Sequence, residues 1–327
     1  MKKAMHKRPA ANVTYTFKKI LTGSDLSRRR LPFMAAETGV PGPVVWLTAC
    51  SHGDEVGGIV IIQEIFRGIR KRKSLIKGSV FAFPLMNPIG FEAKSRHIPY
   101  SQEDLNRSFP GDPKGSVGER LADLVFTSIM ETDPALVVDM HNDWIRSIPY
   151  ALIDTHPGAA YETAYRKTEN FALLSGLLSI RDTEMLPKTL SHALHHRHVP
   201  CLTLELGESY VVNEKNIAFG VQSVENIMVY LGMMMASGPG FRYPVPEICR
   251  QTVLDYGLRP FAATSGIIRF LVKAGDIVAA GQPIARIYNT FGKLQETMKA
   301  EKKSIVLGHT DSSVAFPGMP VMAFGVI

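Results

Sequence analysis

Cysteine is scarce in this sequence: only Cys50, Cys201 and Cys249 occur among its 327 residues. An odd number without paired spacing argues against a disulfide framework. Residues 1–10 are predicted to form a disordered basic tail, and no apolar segment follows them as in a signal peptide. Apolar runs of membrane-spanning length are also missing, because the run at 229–235 is far too short. We therefore expect a cytoplasmic protein without a membrane partner.

Acidic charge is in deficit, since the formal net charge is +7 and the isoelectric point is about 9.2. The basic runs at 28–30 and 70–73 have no aromatic residues interleaved with them and belong to no nucleic-acid motif. We interpret them as solvated loops and helix ends, so no nucleic-acid partner is expected. The charge instead favours anionic small molecules or weak contact with polyanions. A content of 45% hydrophobic and 20% charged residues is typical of a globular protein, here long enough for one large and one smaller domain.

The stretch from Ala49 to Glu55 organises the rest of the chain. It follows an apolar run at 43–48, typical of a buried strand, and precedes apolar residues at helical spacing over 56–69. His52 and Glu55 therefore lie at the carboxyl end of a strand, where open α/β sheets place their chemistry. An imidazole and a carboxylate three residues apart can bind one metal ion. Alternatively, Glu55 only complements the dipole of the following helix.

Strand and helix patterns alternate up to about residue 240, which predicts an α/β fold with a mostly parallel or mixed sheet. The predicted strands cover 13–18, 31–36, 43–48, 79–86, 136–141 and 201–207, and the first two are expected to pair. The predicted helices cover 56–69, 118–130, 161–174 and 213–235. The polar loop at 90–115 is long for a compact domain, which favours a functional role.

Short β patterns with turn glycines follow residues 238–240. The segment 265–287 has a looser echo at 304–322, a spacing that indicates two related halves. We therefore predict two domains, 1–245 and 246–327, the second a small all-β barrel or sandwich.

Polar side chains end three of the predicted strands. His52, Glu55 and His141 supply two imidazoles and one carboxylate, and a catalytic zinc typically has three such ligands and an open fourth position. Asp139, two residues before His141 on the same strand, points to the same face and is suited to orient its imidazole. Asp139 could instead cap the following segment.

Four further residues have side chains suited to amide hydrolysis. Glu205, at the end of another strand, is a candidate general acid/base, and Arg96 could stabilise an oxyanion. Asn106 and Arg107 could clasp a substrate carboxylate, because a guanidinium fork matches that geometry. As alternatives, Glu205 could pair with an arginine in the core, and Asn106 and Arg107 could stabilise their loop.

Other histidines are interpreted as surface or substrate-proximal residues rather than ligands. They are His97, His156, His192, His195, His196 and His198. The tract from 192 to 198 could bind metal adventitiously, as short histidine-rich tracts do.

Several motifs together resemble a known family. They are Ser51-His52-Gly53-Asp54-Glu55, Asn87-Pro88, the run Asp104-Leu105-Asn106-Arg107-Ser108-Phe109-Pro110-Gly111, Asp139-Met140-His141 and Glu205-Leu206-Gly207. In this order they resemble the zinc carboxypeptidase-like hydrolases, and within them the succinylglutamate desuccinylase/aspartoacylase family, whose members also have a C-terminal β domain.

The resemblance implies a zinc-dependent hydrolase that cleaves the amide bond of a small N-acyl amino acid, with the β domain narrowing access to the site. It implies zinc binding by His52, Glu55 and His141, and acid/base catalysis by Glu205. It also implies that Arg96 polarises the scissile carbonyl, and that Asn106 and Arg107 hold the substrate α-carboxylate.

Two departures from the family pattern are present. The gap between Arg96 and Asp104 is longer than in aspartoacylases, which bears on the assignment of Arg96. The basic residue for a distal carboxylate has no clean counterpart, although Arg197 is nearby, and this absence favours an acyl group other than succinyl or aspartyl.

Two alternative functions stay open. A metallocarboxypeptidase for short peptides would use a mobile tyrosine, for which Tyr210 is a candidate. Residues 266–287 also resemble the first half of biotinyl/lipoyl carrier domains, and Lys293 and Lys299 lie between the two halves, outside a convincing hairpin context. An exposed edge of the β domain would suit a homo-oligomer.

Overall fold

The computed structural model describes residues 11–22, 28–72, 74–236, 238–250 and 252–327. The predicted disordered tail at 1–10 lies outside the described residues. Across these ranges, no helix has both the length and the apolar character needed to cross a lipid bilayer.

A mixed sheet forms the centre of the protein. Its strands before residue 210 are β1 (Asn12–Thr22), β2 (Arg28–Glu37), β3 (Val44–Ala49), β4 (Ser79–Phe83), β5 (Leu136–His141), β6 (Arg146–Ser147), β7 (Tyr150–Ile153), β8 (Leu178–Arg181) and β9 (Cys201–Glu205). They lie in the order β1-β2-β4-β3-β5-β9-β7-β8, with β6 off this path. The run from β4 through β3 and β5 to β9 is parallel, whereas β1, β2 and β7 join antiparallel neighbours. The prediction of a mixed α/β sheet is confirmed.

The predicted pairing of the first two strands is also confirmed, with Tyr15 opposite Met34. The sequence prediction did not include β7 and β8. Each has only four residues, too few to establish an alternating pattern.

In the described ranges, six α-helices flank the sheet. They are α1 (Gly57–Arg72), α2 (Pro88–Ala93), α3 (Val117–Met130), α4 (Glu162–Ser175), α5 (Leu190–His195) and α6 (Glu214–Tyr230). The last was predicted to continue to residue 235, which is wrong. The chain leaves the helix at Gly232, which has a φ of 67°. Glycine adopts this left-handed conformation without steric cost and commonly ends helices.

Alternate residues of the central strands face two helical layers. Val45, Leu47 and Ala49 of β3 belong to the core cluster shared with α1, α4 and α6. Trp46 belongs to the opposite cluster, shared with α3 and α5. Both faces are covered, so the strand sequence is almost continuously apolar. The ends of the strands are therefore the places where polar side chains can gather.

The C-terminal strands are β10 (Val253–Gly257), β11 (Gly266–Phe270), β12 (Ile277–Val278), β13 (Pro283–Tyr288), β14 (Leu294–Lys299), β15 (Ser304–His309), β16 (Val314–Ala315) and β17 (Met322–Val326). One set has the order β10-β17-β15-β12, and the other has the order β14-β13-β11-β16. Buried residues from both sets, including Ile268, Ile287, Val306 and Phe324, form one apolar cluster. The prediction of a smaller C-terminal all-β domain is confirmed.

The first of these two sets continues the central sheet. Leu254 of β10 lies opposite Ile180 of β8 in a parallel pair, and β15 pairs with β6. A second apolar cluster, which includes Tyr150, Ile305 and Leu307, joins the two regions. The C-terminal strands are thus hydrogen-bonded to β8 and β6 of the central sheet. The division into two domains at residues 245 and 246 stays a prediction.

Candidate metal centre and active site

The predicted metal ligands come together at the carboxyl ends of β3 and β5. These strands are parallel neighbours, with Ala49 opposite Met140, so the residues that follow them meet at one edge of the sheet. His52, Glu55 and His141 are all buried, and each offers a ligand atom within 4.8 Å of the other two. The arrangement could hold a metal ion.

The turn that carries His52 packs tightly against α2 and the residues that follow it. A Cβ atom on Gly53 would lie only 2.0 Å from the carbonyl carbon of Gly90, so this position has room only for glycine. The Gly53 N–H donates to the Ser95 carbonyl, and the Glu55 N–H donates to the His52 carbonyl. These contacts fix the direction in which the His52 and Glu55 side chains leave the backbone.

The hydrogen bonds assign a role to each imidazole nitrogen. Nδ1 of His52 lies 2.7 Å from Oε1 of Glu55, and Nδ1 of His141 lies 2.9 Å from Oε2 of the same carboxylate. On the far side of each ring, Nε2 lies 3.1 Å from Asp104 for His52 and 2.9 Å from Asp139 for His141. Carboxylates that accept from Nε2–H leave both Nδ1 atoms free to bind a metal beside Glu55.

Electrostatics support a cation at this place. Burial alone would lower the pKa of His141, but Asp139 and Glu55 raise it well above the ordinary value. Burial alone would raise the pKa of Glu55, but His52 and His141 lower it to about 2. The group therefore draws protons onto its imidazoles when no metal is present. Two nitrogens and one carboxylate also match the ligand types of a catalytic zinc.

Asp139 lies where the sequence prediction put it. It is 1% exposed, and its Oδ1 accepts a hydrogen bond of 2.6 Å from the Thr48 hydroxyl, while its Oδ2 faces His141. Both carboxylate oxygens are thus engaged, which fixes the orientation of the His141 ring.

Asp104 is a contact that the sequence prediction missed. Besides facing His52, its carboxylate lies 3.2 Å from the Arg96 guanidinium. Arg96 also lies 3.6 Å from Oε1 of Glu55, at the edge of the group formed by the two histidines and Glu55. Its action on a substrate carbonyl stays a prediction. Asp104 is the first residue of the Asp-Leu-Asn-Arg run. Its place in that motif was the feature of the sequence from which a role in the site could have been predicted.

Asn106 and Arg107 lie next to each other at the edge of the site. Oδ1 of Asn106 accepts from the Leu190 backbone N–H at 2.9 Å, and its Nδ2 lies 3.5 Å from Nε2 of His141. The exposed Arg107 donates to the Asn106 carbonyl at 2.8 Å. Asn106 therefore has a loop-stabilising contact as well as a donor close to the site, so both interpretations from the sequence fit its position.

Glu205 ends β9 directly opposite His141 of β5. Burial raises its pKa well above 4.5, and the charges of Asp143 and Glu55 add to the increase, while His141 and Arg96 oppose it. Glu205 is thus close enough to Glu55 and His141 for their charges to change its pKa. Its strand position is the one that the sequence predicted.

Asp143 is a second acid that the sequence prediction did not include. The Tyr150 hydroxyl donates to it at 2.7 Å. Burial raises the pKa of Asp143 to about 7 despite this hydrogen bond, and Glu55 and Asp311 contribute. Asp311, from the C-terminal region, accepts from the Ile145 backbone N–H at 2.6 Å. The loop between β15 and β16 therefore brings an additional negative charge to this side of the site.

The remaining histidines lie elsewhere in the described structure. His156, His196 and His198 pack against tyrosines, and His156 also pairs with Glu162. The prediction of a surface or substrate-proximal position is wrong for His195, which is 0% exposed. It occupies the inward face of α5, where helical periodicity buries one side of a short amphipathic segment.

Comparison with known proteins first defines the class. A metallo-carboxypeptidase from Burkholderia cenocepacia superposes with a TM-score of 0.53 over 69% of this chain and 66% of its own, at 18% identity. The product-bound ectoine utilization protein EutE (DoeB) from Ruegeria pomeroyi superposes with a TM-score of 0.79 over 96% of this chain and 95% of its own, at 21% identity. The fold is thus similar to that of the metallo-carboxypeptidase over 69% of the chain, and the likeness to EutE extends over 96% of it.

The family follows from the sequence itself. The succinylglutamate desuccinylase/aspartoacylase catalytic domain matches residues 41–231, more than half of the chain. The N-alpha-acetyl-L-2,4-diaminobutyric acid deacetylase of Halomonas elongata is 29% identical over 251 residues, which cover 76% of this chain and 71% of that protein. The protein belongs to the succinylglutamate desuccinylase/aspartoacylase family, and it is an amidohydrolase of that family.

Proposed function

We propose that the protein is a zinc-dependent deacylase that hydrolyses the amide bond of a small N-acyl amino acid carrying a free ammonium group on its side chain. The buried group of His52, Glu55 and His141 carries the first part of this proposal. The acidic side of the site, formed by Asp143 and Asp311, supports the second part.

Zinc, when bound by His52, Glu55 and His141, supplies a Lewis acid that polarises the amide carbonyl and lowers the pKa of water. In this proposal Glu205 takes a proton from the attacking water and returns it to the leaving amine. Arg96, 3.6 Å from Glu55, stabilises the negative charge that develops on the carbonyl oxygen.

Asn106 and Arg107 are proposed to hold the α-carboxylate of the substrate. The Arg107 side chain is exposed, and a guanidinium can grip a carboxylate with two parallel hydrogen bonds. The Asn106 amide nitrogen has only a long contact of 3.5 Å to His141 and can turn towards an anionic ligand. These two positions would set the distance between the carboxylate and the scissile amide.

Asp143 is proposed to bind the substrate ammonium. Relatives that hydrolyse succinyl or aspartyl substrates need a cation for the distal carboxylate, and the sequence has no clean counterpart of that residue. In its place, Asp143 gathers with Asp311 and Glu205, where a positive charge on the ligand would relieve their repulsion. The Halomonas relative is named for a substrate that has such an amine.

The substrate can be tested with a matched pair of compounds. Nα-Acetyl-L-2,4-diaminobutyrate and Nα-acetyl-L-norvaline differ only in the terminal ammonium, which the second compound replaces with a methyl group. We expect faster amine release from the diaminobutyrate compound than from norvaline, N-acetylaspartate or N-succinylglutamate. Preference for the last two compounds would contradict the proposed ammonium site.

Replacing Asp143 tests that site directly. Asp143→Asn is expected to lower kcat/KM for the diaminobutyrate compound by about 10–100-fold, because a charge-assisted hydrogen bond contributes about 1.5–3 kcal/mol. The value for Nα-acetylnorvaline should stay within about twofold of the wild-type value. An equal loss on both compounds would mean that Asp143 supports the site structurally and does not recognise the ammonium.

The pH dependence follows from the raised pKa of Glu205. A general base must be ionised, so kcat/KM should fall as the pH falls through the Glu205 pKa, which burial and the charge of Asp143 raise. The negative charge of Asp143 raises the pKa of Glu205. Asp143→Asn removes that charge, so the midpoint of the fall should move to lower pH. A midpoint that does not move, measured on Nα-acetylnorvaline, would contradict the proposed role of Glu205.

Action on short peptides is the main alternative. Tyr210, its candidate tyrosine, is 55% exposed, and its backbone N–H donates to the Asp54 carbonyl at 2.8 Å. The contact between Asp311 and the Ile145 backbone favours small substrates, because it brings the C-terminal region against the loop that carries Asp143. Release of C-terminal amino acids from dipeptides at a rate above that of the acetyl compounds would favour the peptidase.

Carrier function is the remote alternative. Lys293 in fact ends the turn of the hairpin between β13 and β14, where its carbonyl accepts from the Asn289 N–H, so the sequence prediction that it lies outside a hairpin is wrong. Lys299 ends the second strand of that hairpin. An intact mass without a biotinyl or lipoyl addition would exclude a carrier in the protein as purified.

A further inference from the structure

The segment 143–148 carries the proposed ammonium-binding acid and is hydrogen-bonded to the C-terminal region. We call it the β6 segment. The Ile145 N–H donates to Oδ1 of Asp311 at 2.6 Å, and the Ile148 N–H donates to the Leu307 carbonyl at 2.8 Å. Between these two hydrogen bonds, β6 pairs antiparallel with β15. The backbone of the β6 segment therefore follows the course of β15.

Strand β15 is held more firmly than the β6 segment. All six residues of β15 are buried, and β17 pairs with it along one edge. The other edge is shared by β12 and β6. By contrast, β6 has only two residues, of which Arg146 is exposed. Because buried and fully paired strands open least readily, a steric conflict between the two would displace the β6 segment.

Gly308 of β15 brings the two backbones close together. It lies opposite Ser147, and a Cβ atom at this position would be 2.8 Å from Cβ of Ser147 and 3.2 Å from the Arg146 carbonyl oxygen. The φ of Gly308 lies outside the left-handed region, so its backbone conformation suits any residue. The contact with the β6 segment is thus what requires glycine here.

Further hydrogen bonds connect Ser147 to the carboxylate of Asp143. The Ser147 hydroxyl donates to the Trp144 carbonyl at 2.7 Å, and the Trp144 side chain donates to the Tyr256 hydroxyl of β10. Tyr150, two residues after the segment, donates to the Asp143 carboxylate at 2.7 Å. A shift of the backbone at Ser147 would therefore pass through Trp144 to Asp143.

The residue before the β6 segment is held by other parts of the chain. Oδ1 of Asn142 accepts from the Gly57 N–H at 3.1 Å, and its Nδ2 donates to the Gly207 and Glu208 carbonyls at 3.0 Å. His141 precedes it at the end of the buried strand β5. A displacement of the β6 segment should therefore alter the proposed ammonium site and leave the metal group in place.

We propose that β15 positions the substrate-binding acid Asp143, and that Gly308 sets how closely the β6 segment approaches this strand. The inference rests on the proposed function, in which Asp143 binds the substrate ammonium. Gly308 is a positioning residue, because it acts on the substrate only through the β6 segment. The C-terminal region would thereby determine which side chain the substrate carries, in addition to narrowing access.

Gly308→Ala tests the proposal without changing a group that touches the substrate. The added methyl group should displace the β6 segment and raise KM for Nα-acetyl-L-2,4-diaminobutyrate by about tenfold, since a misplacement of about 1 Å by a distant substitution can cost up to about 100-fold. Metal content should be unchanged, and kcat should stay within about twofold of the wild-type value, as when only binding is lost.

A matched control is Gly325→Ala in β17. Its methyl group would meet Cδ1 of Ile180 at 2.9 Å, a contact as close as that at Gly308 but made with the movable end of a side chain. Gly325 also lies outside the left-handed region. KM in this variant should match the wild-type value.

Removing the opposing Cβ should rescue the first variant. In Gly308→Ala/Ser147→Gly the contact of 2.8 Å no longer exists, so KM should approach that of Ser147→Gly alone. If Gly308→Ala instead raises KM by the same factor in both backgrounds, its effect does not pass through the β6 segment, and the proposal is wrong.

Trp144 reports the position of the β6 segment independently of any substrate. The one other tryptophan of the sequence, Trp46, is buried in the core, and Trp46→Phe leaves Trp144 as the single emitter. In this background Gly308→Ala is expected to increase acrylamide quenching, and Gly325→Ala is not. Unchanged quenching in Gly308→Ala would overturn the proposal, and so would changed quenching with unchanged KM. Changed quenching with equal rises in KM for the diaminobutyrate and norvaline compounds would support positioning by β15 and contradict the ammonium site.

Asp311 supplies a second test if Gly308→Ala does not give folded protein by circular dichroism. Asp311→Ala and Asp311→Asn both remove the charge, but asparagine can still accept from the Ile145 N–H. A higher KM in the alanine variant than in the asparagine variant supports positioning through this hydrogen bond. Equal KM values in the two variants would overturn it.

Discussion

His52→Ala is expected to abolish metal binding at the catalytic group and to reduce turnover to the background rate. His52 supplies one of only three proposed protein ligands, and its Nδ1 lies 2.7 Å from Glu55. Alanine would leave Glu55 and His141 as a two-ligand site, too weak to retain zinc during dialysis. Metal content by elemental analysis and amine release from Nα-acetyl-L-2,4-diaminobutyrate check the two losses.

A matched control is His156→Ala, which removes a histidine of an exposed ion pair with Glu162 and should preserve both metal content and activity. Loss of activity in His52→Ala with full retention of the catalytic metal would contradict the ligand assignment.

Glu205→Gln is expected to keep the metal and lose about 10²–10⁴-fold in kcat, the usual contribution of a general acid/base. Glutamine has nearly the same shape and can hydrogen-bond in the same place, but it cannot accept a proton from water. The remaining activity should no longer show the fall at low pH that the Glu205 carboxylate causes in the wild type.

The control for this substitution is Glu247→Gln, since the Glu247 side chain is 82% exposed and forms an ion pair with the nearby Arg250. Its kcat should match that of the wild type. Full activity in Glu205→Gln, with normal metal content, would show that another group moves the proton. Asp143 would then be the first candidate, because its charge and that of Glu205 influence each other.

The metal group could be predicted from the sequence because its residues follow strongly apolar strands. The strand before His52 and the strand ending at His141 are buried on both faces, so their limits were visible in hydrophobicity alone. Parallel neighbours then bring such ends to one edge of a sheet, which made the convergence of His52, Glu55 and His141 predictable.

Contacts made by loops could not be predicted in the same way. The meeting of Asp104 with His52 spans 52 residues and depends on how the long polar loop folds back, which no periodic pattern records. Asp143 gains its environment from Tyr150 and from Asp311 of the C-terminal region. A polar residue on a loop gives no indication in the sequence of the partner it will meet.

Short strands caused the other omissions. Neither β7 nor β8 is long enough to show alternation, so the sequence did not indicate that the sheet continues beyond β9. The pairing of β10 with β8 could not be predicted for the same reason. The sequence therefore predicted a separate C-terminal domain. The burial of His195 likewise depends on α5, a helix of only six residues.

Metal content and turnover, measured on the same sample, test the central claim most directly. Protein purified without chelator is analysed for zinc and assayed on Nα-acetyl-L-2,4-diaminobutyrate, then stripped with chelator and assayed again with and without added zinc. We predict at least one zinc per chain, loss of amine release on stripping, and recovery on re-addition. Amine release that persists at the full rate in metal-free protein would contradict the proposed zinc-dependent mechanism.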